Sequence, residues 1–391
     1  MLLVYGPFDR FNYGDLLFPY ILEKELRDKY SAIEFIAIRK SDLHRVGGKA
    51  TRPFKDLYQL DSSKNYNLVI AGGESLITTW GDLFSYFSIW YNRLSIFWRG
   101  LNKIFGKRRS KKINNQVARF LLSGKTQLPF CVSKFDYKFI DKVFYNSLGG
   151  STLNEETFTM YSSLLSTLKN VDYLAVREAK SYEILMKKNV EVSLVPDSVI
   201  LISKHYPVEK LKLLISPEVC KYHTEVEKYC VFQINKALGW KYKAEAAKQL
   251  ENIYHNMGLN IVLCPMGFAY GHEDPSGLHE LSKELSVPHK YFKSLSIWDI
   301  TYLLACSSLY IGSSLHGAIV SMSYFVPYIG FEVKKVDWYL RTWAPDYLDH
   351  IVPVKSISST AVEILDYHKA VLVENCKYQQ NLVEKSLSKM C

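Results

Sequence analysis

Residues 308–331, SLYIGSSLHGAIVSMSYFVPYIGF, admit few folds. Leu309, Tyr310 and Ile311 form a short apolar run between turn residues, as a buried strand does. Gly312 allows a sharp turn, and Ser313 or Ser314 offers a hydroxyl to cap a helix. Leu315, Ile319 and Met322 then recur at helical spacing. Pro327 closes the next turn, and Tyr328–Phe331 reads as a second strand. Strand, helix and strand in that order belong to an α/β sheet. The unit places His316 in the first turn of a helix, at the carboxyl end of a strand, where open α/β sheets take ligands. A helix start favours a phosphate or carboxylate, and a histidine beside such an anion can donate a proton. On these residues alone, a histidine that merely hydrogen-bonds near a cap fits equally well.

The 391 residues suit two domains better than one. A balance of 49 basic against 39 acidic residues, net +10, favours anionic partners. Phosphorylated small molecules, nucleic acid and an anionic membrane surface all qualify, but no nucleic-acid-binding module is recognisable. The seven cysteines form no C-x-x-C pair and no Cys/His cluster, so no structural metal is expected. The opening MLLVYGPF reads as a strand, not a signal peptide, and a reducing, cytoplasmic location is expected. No run reaches the ~18 apolar residues of a membrane span.

Leu2–Tyr5 reads as the first strand, and its loop carries Asn12, Gly14 and Asp15 before a helix over 16–29. An aspartate there could equally be a simple cap. Further strands are expected at 33–38, 68–71, 141–147, 172–177 and 191–195. The strand at 68–71 opens into Gly72, Gly73 and Glu74, where a bare backbone lets a ligand approach and Glu74 can accept from hydroxyls. Arg177 stands at a strand end, placed for bidentate capture of a carboxylate or phosphate, although a surface ion pair is the more common role for an arginine there. This gives a first Rossmann-like domain over 1–205. A second over 206–355 is expected to begin at 212–216 and to hold a strand at 260–265. Helices over 356–391 finish the chain, a position from which they pack back on the first domain. The loop 265–275 adds His272, Glu273 and Asp274 as further polar groups on the ligand edge. Residues 84–112 interleave aromatic side chains such as Trp90, Tyr91, Phe97 and Trp98 with Arg93, Arg99, Lys107, Arg108, Arg109, Lys111 and Lys112. That pattern suits peripheral contact with the inner face of the plasma membrane. A core helix followed by a solvated basic loop is the plainer alternative.

Four blocks stand in order: VYGPFDRFNYGD, VIAGGESL, AVREAKSYEIL with VPDSV, and YIGSSLHGAI. Together they resemble the polysaccharide pyruvyl transferase family from about Val4 to Val336, with 84–133 as an uncovered insertion. The resemblance implies two doubly wound, glycosyltransferase-B-like domains with C-terminal helices and an active site in the cleft between them. It implies transfer of pyruvate from phosphoenolpyruvate to a hydroxyl pair of a saccharide, without metal or bound cofactor. Arg177 and His316 would be catalytic with Asp15. Arg177, Ser313, Ser314, Leu315, His316 and Gly317 would bind the donor. Asn12, Gly14, Asp15, Gly73 and Glu74 would face the acceptor, which the basic aromatic segment suggests is lipid-linked. Where many members carry R-L-H, this chain has Ser314-Leu315-His316, so Lys334 or Lys335 is expected to supply the missing charge. A sugar-nucleotide glycosyltransferase on the same scaffold is the alternative, and a non-catalytic saccharide-binding protein a more distant one.

Overall fold

The computed structural model describes residues 1–88, 90–91, 95–268, 273–331, 333–345, 350–366 and 369–390. Among these, two separate β-sheets organise the chain. The first contains β1 (Leu2–Tyr5), β2 (Ile33–Ala37), β3 (Ser41–Asp42), β4 (Ala50–Pro53), β5 (Tyr66–Ile70), β6 (Ile140–Leu148), β7 (Tyr173–Val176) and β8 (Ser193–Leu194). Its order is β3-β4-β2-β1-β5-β6-β7-β8, parallel throughout except for the β3/β4 pair. The second contains β9 (Tyr229–Gln233), β10 (Asn260–Leu263), β11 (His289–Tyr291), β12 (Leu309–Gly312), β13 (Tyr328–Phe331) and β14 (Ile351–Val352). It is fully parallel, in the order β11-β10-β9-β12-β13-β14. The protein is therefore a two-domain α/β structure.

Helices cover both faces of each sheet, so the central strands are apolar without alternation. Every residue of β1 and of β9 is buried. Strand direction reverses its sequence order at β1/β5 in one sheet and at β9/β12 in the other. Crevices open at such switch points, beyond the carboxyl ends of the strands.

One apolar core runs through both domains and joins them. Leu17 and Ile21 of the first helix, Ile200 of the connecting segment, Ile319 of the Leu315–Ser323 helix and Leu372 of the last helix are all part of it. The last helix, Lys369–Leu387, returns to the first domain as expected. Ser386 Oγ lies 2.9 Å from Tyr173 Oη, and Tyr30 Oη donates to the Met390 carbonyl at 2.9 Å.

Three sequence expectations change. Residues 212–216 are turns, not the opening strand of the second domain. Pro217 sits at the start of the helix Pro217–Glu225 and makes Ser216 its cap, which turns the apolar run out of an extended path. The central strand of the second sheet is β9, which the sequence reading passed over, together with the long helix Lys236–Met257 behind it. The segment Ser95–Leu122 is helical with a break at Gly106, where φ is 78°. The side chains of Phe97, Trp98, Arg99 and Lys107 lie outside the described residues, as do Arg93 and His272. Among the described residues no helix is long and apolar enough to cross a membrane.

Candidate functional site

The strand-end loops of the two sheets face one another across a cleft. The loop after β1 is fastened to the opposite domain. Asn12 forms an antiparallel bridge with Gly267, and the Tyr13 N–H donates to the Met266 carbonyl at 3.0 Å. Tyr13 Oη lies 2.9 Å from Thr301 Oγ1, and the Phe11 and Phe268 rings meet edge to face at 5.0 Å. This seam fixes where the residues that follow it project.

A cavity of about 420 Å³ lies beside the seam. The first domain supplies Asn12, Asp15, Gly73, Glu74 and Arg177 to its wall. The second supplies Ser314, Leu315, His316, Lys334 and Lys335. These residues, gathered from five stretches of sequence, therefore share one space. Of the other residues singled out by sequence, Gly14 lies beneath His316, Gly317 packs on Tyr310, and Ser313 lines a smaller neighbouring cavity.

His316 is held from several sides. Ser314 caps its helix by accepting from the Gly317 N–H at 3.3 Å. Phe18 meets the imidazole edge to face at 5.7 Å. The ring lies against Gly14 so closely that a Cβ there would stand 1.8 Å from Nδ1. Glycine is thus required at 14 for steric reasons, a close approach rather than a special backbone angle. Nε2 is buried, makes no hydrogen bond among the described residues, and faces Asp197 Oδ2 at 3.5 Å, an ion-pair distance.

Asp197 is the residue the sequence reading missed. It follows Pro196 after β8, inside the VPDSV block that carries the resemblance, where no role was assigned to it. Its Oδ2 also accepts from Arg177 Nη1 at 2.7 Å, and its Oδ1 from the Val199 N–H at 3.0 Å. Burial pushes this carboxyl up, but the neighbouring His316 and Arg177 outweigh burial and hold it below the ordinary aspartate range.

Arg177 is 1% exposed and already surrounded by acid. Besides Asp197, its Nε donates to Glu178 Oε1 at 3.0 Å, and its Nη2 lies 3.3 Å from Glu74 Oε2. Burial opposes its charge, yet Glu178, Asp197 and Glu74 together raise its pKa above the usual arginine range. Burial in turn pushes Glu178 up to about 7. Glu74 is further tied by the Ser151 N–H, which donates to Oε1. The cluster fits only because residue 149 is glycine: a Cβ there would lie 2.5 Å from Arg177 Nη2. A guanidinium facing three carboxylates has little unmet charge for an incoming anion. The geometry makes it the member that holds Asp197 and Glu74 in place.

Lys335, half-buried in the first turn of the helix Lys334–Trp343, is a cation with unmet charge; the more exposed Lys334 and Lys111 line the same cavity. Among the described residues no carboxylate pairs with Lys335, and loss of solvent pushes its pKa down. Arg10 is a further cation on the wall, stacked 4.4 Å over the Tyr86 ring and 3.4 Å from Asp9. Asp15 is buried, and burial pushes its carboxyl up against the pull of Arg10 and His316. Asp15 Oδ1 and His316 Cε1 flank Gly73, 2.9 and 3.7 Å from where a Cβ would stand. One wall therefore offers a basic carboxylate, a histidine backed by an aspartate, and an unpaired ammonium beside a helix start.

The sequence pattern of one family, polysaccharide pyruvyl transferase, matches residues 12–106 and 132–335. The chain belongs to this family. The match enters further into the insertion than the quoted motifs did, leaving 107–131 uncovered between its two parts. No protein of curated function matches the chain in sequence. Among solved structures it is similar to UDP-GlcNAc 2-epimerase from Neisseria meningitidis bound to UDP-GlcNAc. The TM-score is 0.54 at 12% identity, covering 100% of this chain and 98% of that one. It is also similar to the trehalose-6-phosphate synthase OtsA, with a TM-score of 0.53 at 11% identity and coverage of 98% and 95%. The UDP-GlcNAc 2-epimerase of Methanocaldococcus jannaschii gives 0.52 at 13%, with 98% of both chains covered. These likenesses show the fold: this pyruvyl transferase family member has the two-domain glycosyltransferase-B-like architecture.

Proposed function

We propose that this pyruvyl transferase family member takes pyruvate from phosphoenolpyruvate and closes a ketal on two hydroxyls of a saccharide. One observation carries the reading: His316, backed by the Arg177-anchored Asp197, lines the same cavity as the unpaired Lys335. The donor is a small, multiply charged anion. Lys335 and the first N–H groups of the Leu315–Ser323 helix hold its charge. With Nε2 turned inward to Asp197, Nδ1 is the nitrogen left to serve the cavity.

In this scheme His316 gives its proton to the methylene carbon of phosphoenolpyruvate, and the central carbon becomes oxocarbenium-like. One sugar hydroxyl oxygen bonds to that carbon and its proton goes to Asp15, which burial makes a stronger base than an ordinary aspartate. The carbon–oxygen bond to phosphate then breaks, and the second hydroxyl oxygen closes the ketal. Of the two hydroxyl protons, one restores His316 and the other leaves with phosphate. Ionised Asp197 stabilises the imidazolium at both ends of the cycle.

The test is acceptor-dependent phosphate release from phosphoenolpyruvate, with the new ketal methyl followed by NMR. Lys335→Ala is expected to raise KM for phosphoenolpyruvate by about tenfold or more while changing kcat less. Saturation by a nucleotide sugar instead, with no phosphate released from phosphoenolpyruvate, would overturn the assignment.

The acceptor is proposed to be lipid-linked and met at a membrane surface, on the strength of the basic segment 84–112. Arg109 and Lys112 are exposed on its described part. Replacing Arg108, Arg109 and Lys112 with Glu is expected to reduce co-sedimentation with anionic vesicles. Unchanged sedimentation would remove the membrane from the proposal.

A further inference from the structure

A second cavity, of about 200 Å³, opens beside the first and lies on the second domain. The two share Asn12, Ser314, Val333 and Lys335, so they form one continuous trough. Asp274 stands at the back of the smaller one and is 3% exposed. Its Oδ2 is fully engaged, accepting from Gln233 Nε2 at 2.7 Å, the Met266 N–H at 3.0 Å and the Gly267 N–H at 2.9 Å. Gln233 is itself fixed, because its Oε1 accepts from the Ser313 N–H at 3.0 Å. The second oxygen, Oδ1, accepts nothing among the described residues and is left open to the cavity. No cation among those residues pairs with this carboxyl, and burial pushes it up to about 7.

An anchored carboxyl with one bare oxygen turned to a cavity is costly unless something donates to it. Phosphates and carboxylates do not donate, and Asp274 would repel them. A hydroxyl does donate. The volume is below the ~300 Å³ at which pockets for drug-sized ligands begin, so it suits one ring and not an extended chain. We propose that this cavity is a saccharide subsite: it holds the sugar unit joined to the one that receives pyruvate, with a hydroxyl of that unit donating to Asp274 Oδ1. The inference rests on the proposed function, because the trough starts at the His316 cavity.

The experiment compares lactose, cellobiose and chitobiose with their own monosaccharides. Each is titrated against the full chain in the presence of phosphoenolpyruvate by saturation-transfer NMR. Asp274→Asn keeps an oxygen for the three N–H donors and turns an amide N–H₂ to the cavity, exchanging an acceptor for a donor. Ala237→Trp, at an exposed position on the rim, fills the cavity without touching Asp274. At least one disaccharide is expected to bind about tenfold tighter than either of its units, with that gain lost in both variants. Phosphoenolpyruvate binding should not move. The inference is overturned if no disaccharide shows a gain in the wild type, or if the gain survives Asp274→Asn. It is equally overturned if uridine diphosphate, and no disaccharide, shows a binding gain that both variants abolish. Bound phosphoenolpyruvate without a disaccharide gain defeats this inference alone, whereas failure to bind phosphoenolpyruvate at all defeats the proposed function.

Discussion

His316→Ala is expected to lower kcat for phosphate release by roughly 10²–10⁴-fold, the range for losing a positioned acid. Phosphoenolpyruvate affinity should change by no more than about twofold, since Lys335 and the helix start remain. The fold should persist, because the imidazole sits at a cavity wall and only Phe18 stacks against it among the described rings. Stopped assays of phosphate and a thermal melt on the same sample separate chemistry from stability. Wild-type turnover in the alanine variant would take the histidine out of the mechanism. A loss confined to KM would recast it as part of the anion site.

What the sequence disclosed and what it hid divide along a physical line. The placement of His316 was legible because it follows from local geometry, the first turn of a helix after a parallel strand, whereas Lys335 was named only through the resemblance and its helix was not foreseen. The doubly wound α/β class was implied by the alternation of strands and helices. The state of Arg177 was not legible. Its position at the end of β7 was, but the acids that occupy it come from residues 74, 178 and 197, and only the folded sheet brings them together. The steric demand on Gly14, named from sequence only as an acceptor-facing loop residue, was likewise hidden. The imidazole that demands its bare Cα is three hundred residues away in the sequence, across a domain interface. Strand β9 escaped notice because YCVFQ is short and the stronger apolar run lay upstream, where Pro217 diverts it.

Arg177→Met discriminates most sharply between an anion grip and a structural clamp. If Arg177 mainly held the donor, its loss would raise KM and leave stability nearly intact. The structure argues for the opposite. Asp197 and Glu178 have no exposed side-chain surface, and Arg177 is the cation that both face, with His316 a second partner of Asp197 alone. Removing one partner of such a buried set leaves uncompensated charge, at a cost of about 3–5 kcal/mol. The urea midpoint should therefore fall well below that of the wild type. Arg177→Lys, which keeps a charge but not the planar fork, should fall between the two. The pH dependence gives an independent sign. Without the guanidinium, the folded-state pKa of Glu178, already pushed up to about 7 by burial, rises further, and Asp197 is held down only by His316 and the Val199 N–H. Above ~pH 4 the folded variant then binds more protons than the unfolded chain, so its stability falls as pH rises. The deficit relative to wild type should widen as pH rises past about 7, where Glu178 ionises in the wild type but is still protonated in the variant. A pH-independent deficit would mean that packing around the side chain, not its charge, accounts for the loss. A stable variant with only a raised KM would return Arg177 to the donor.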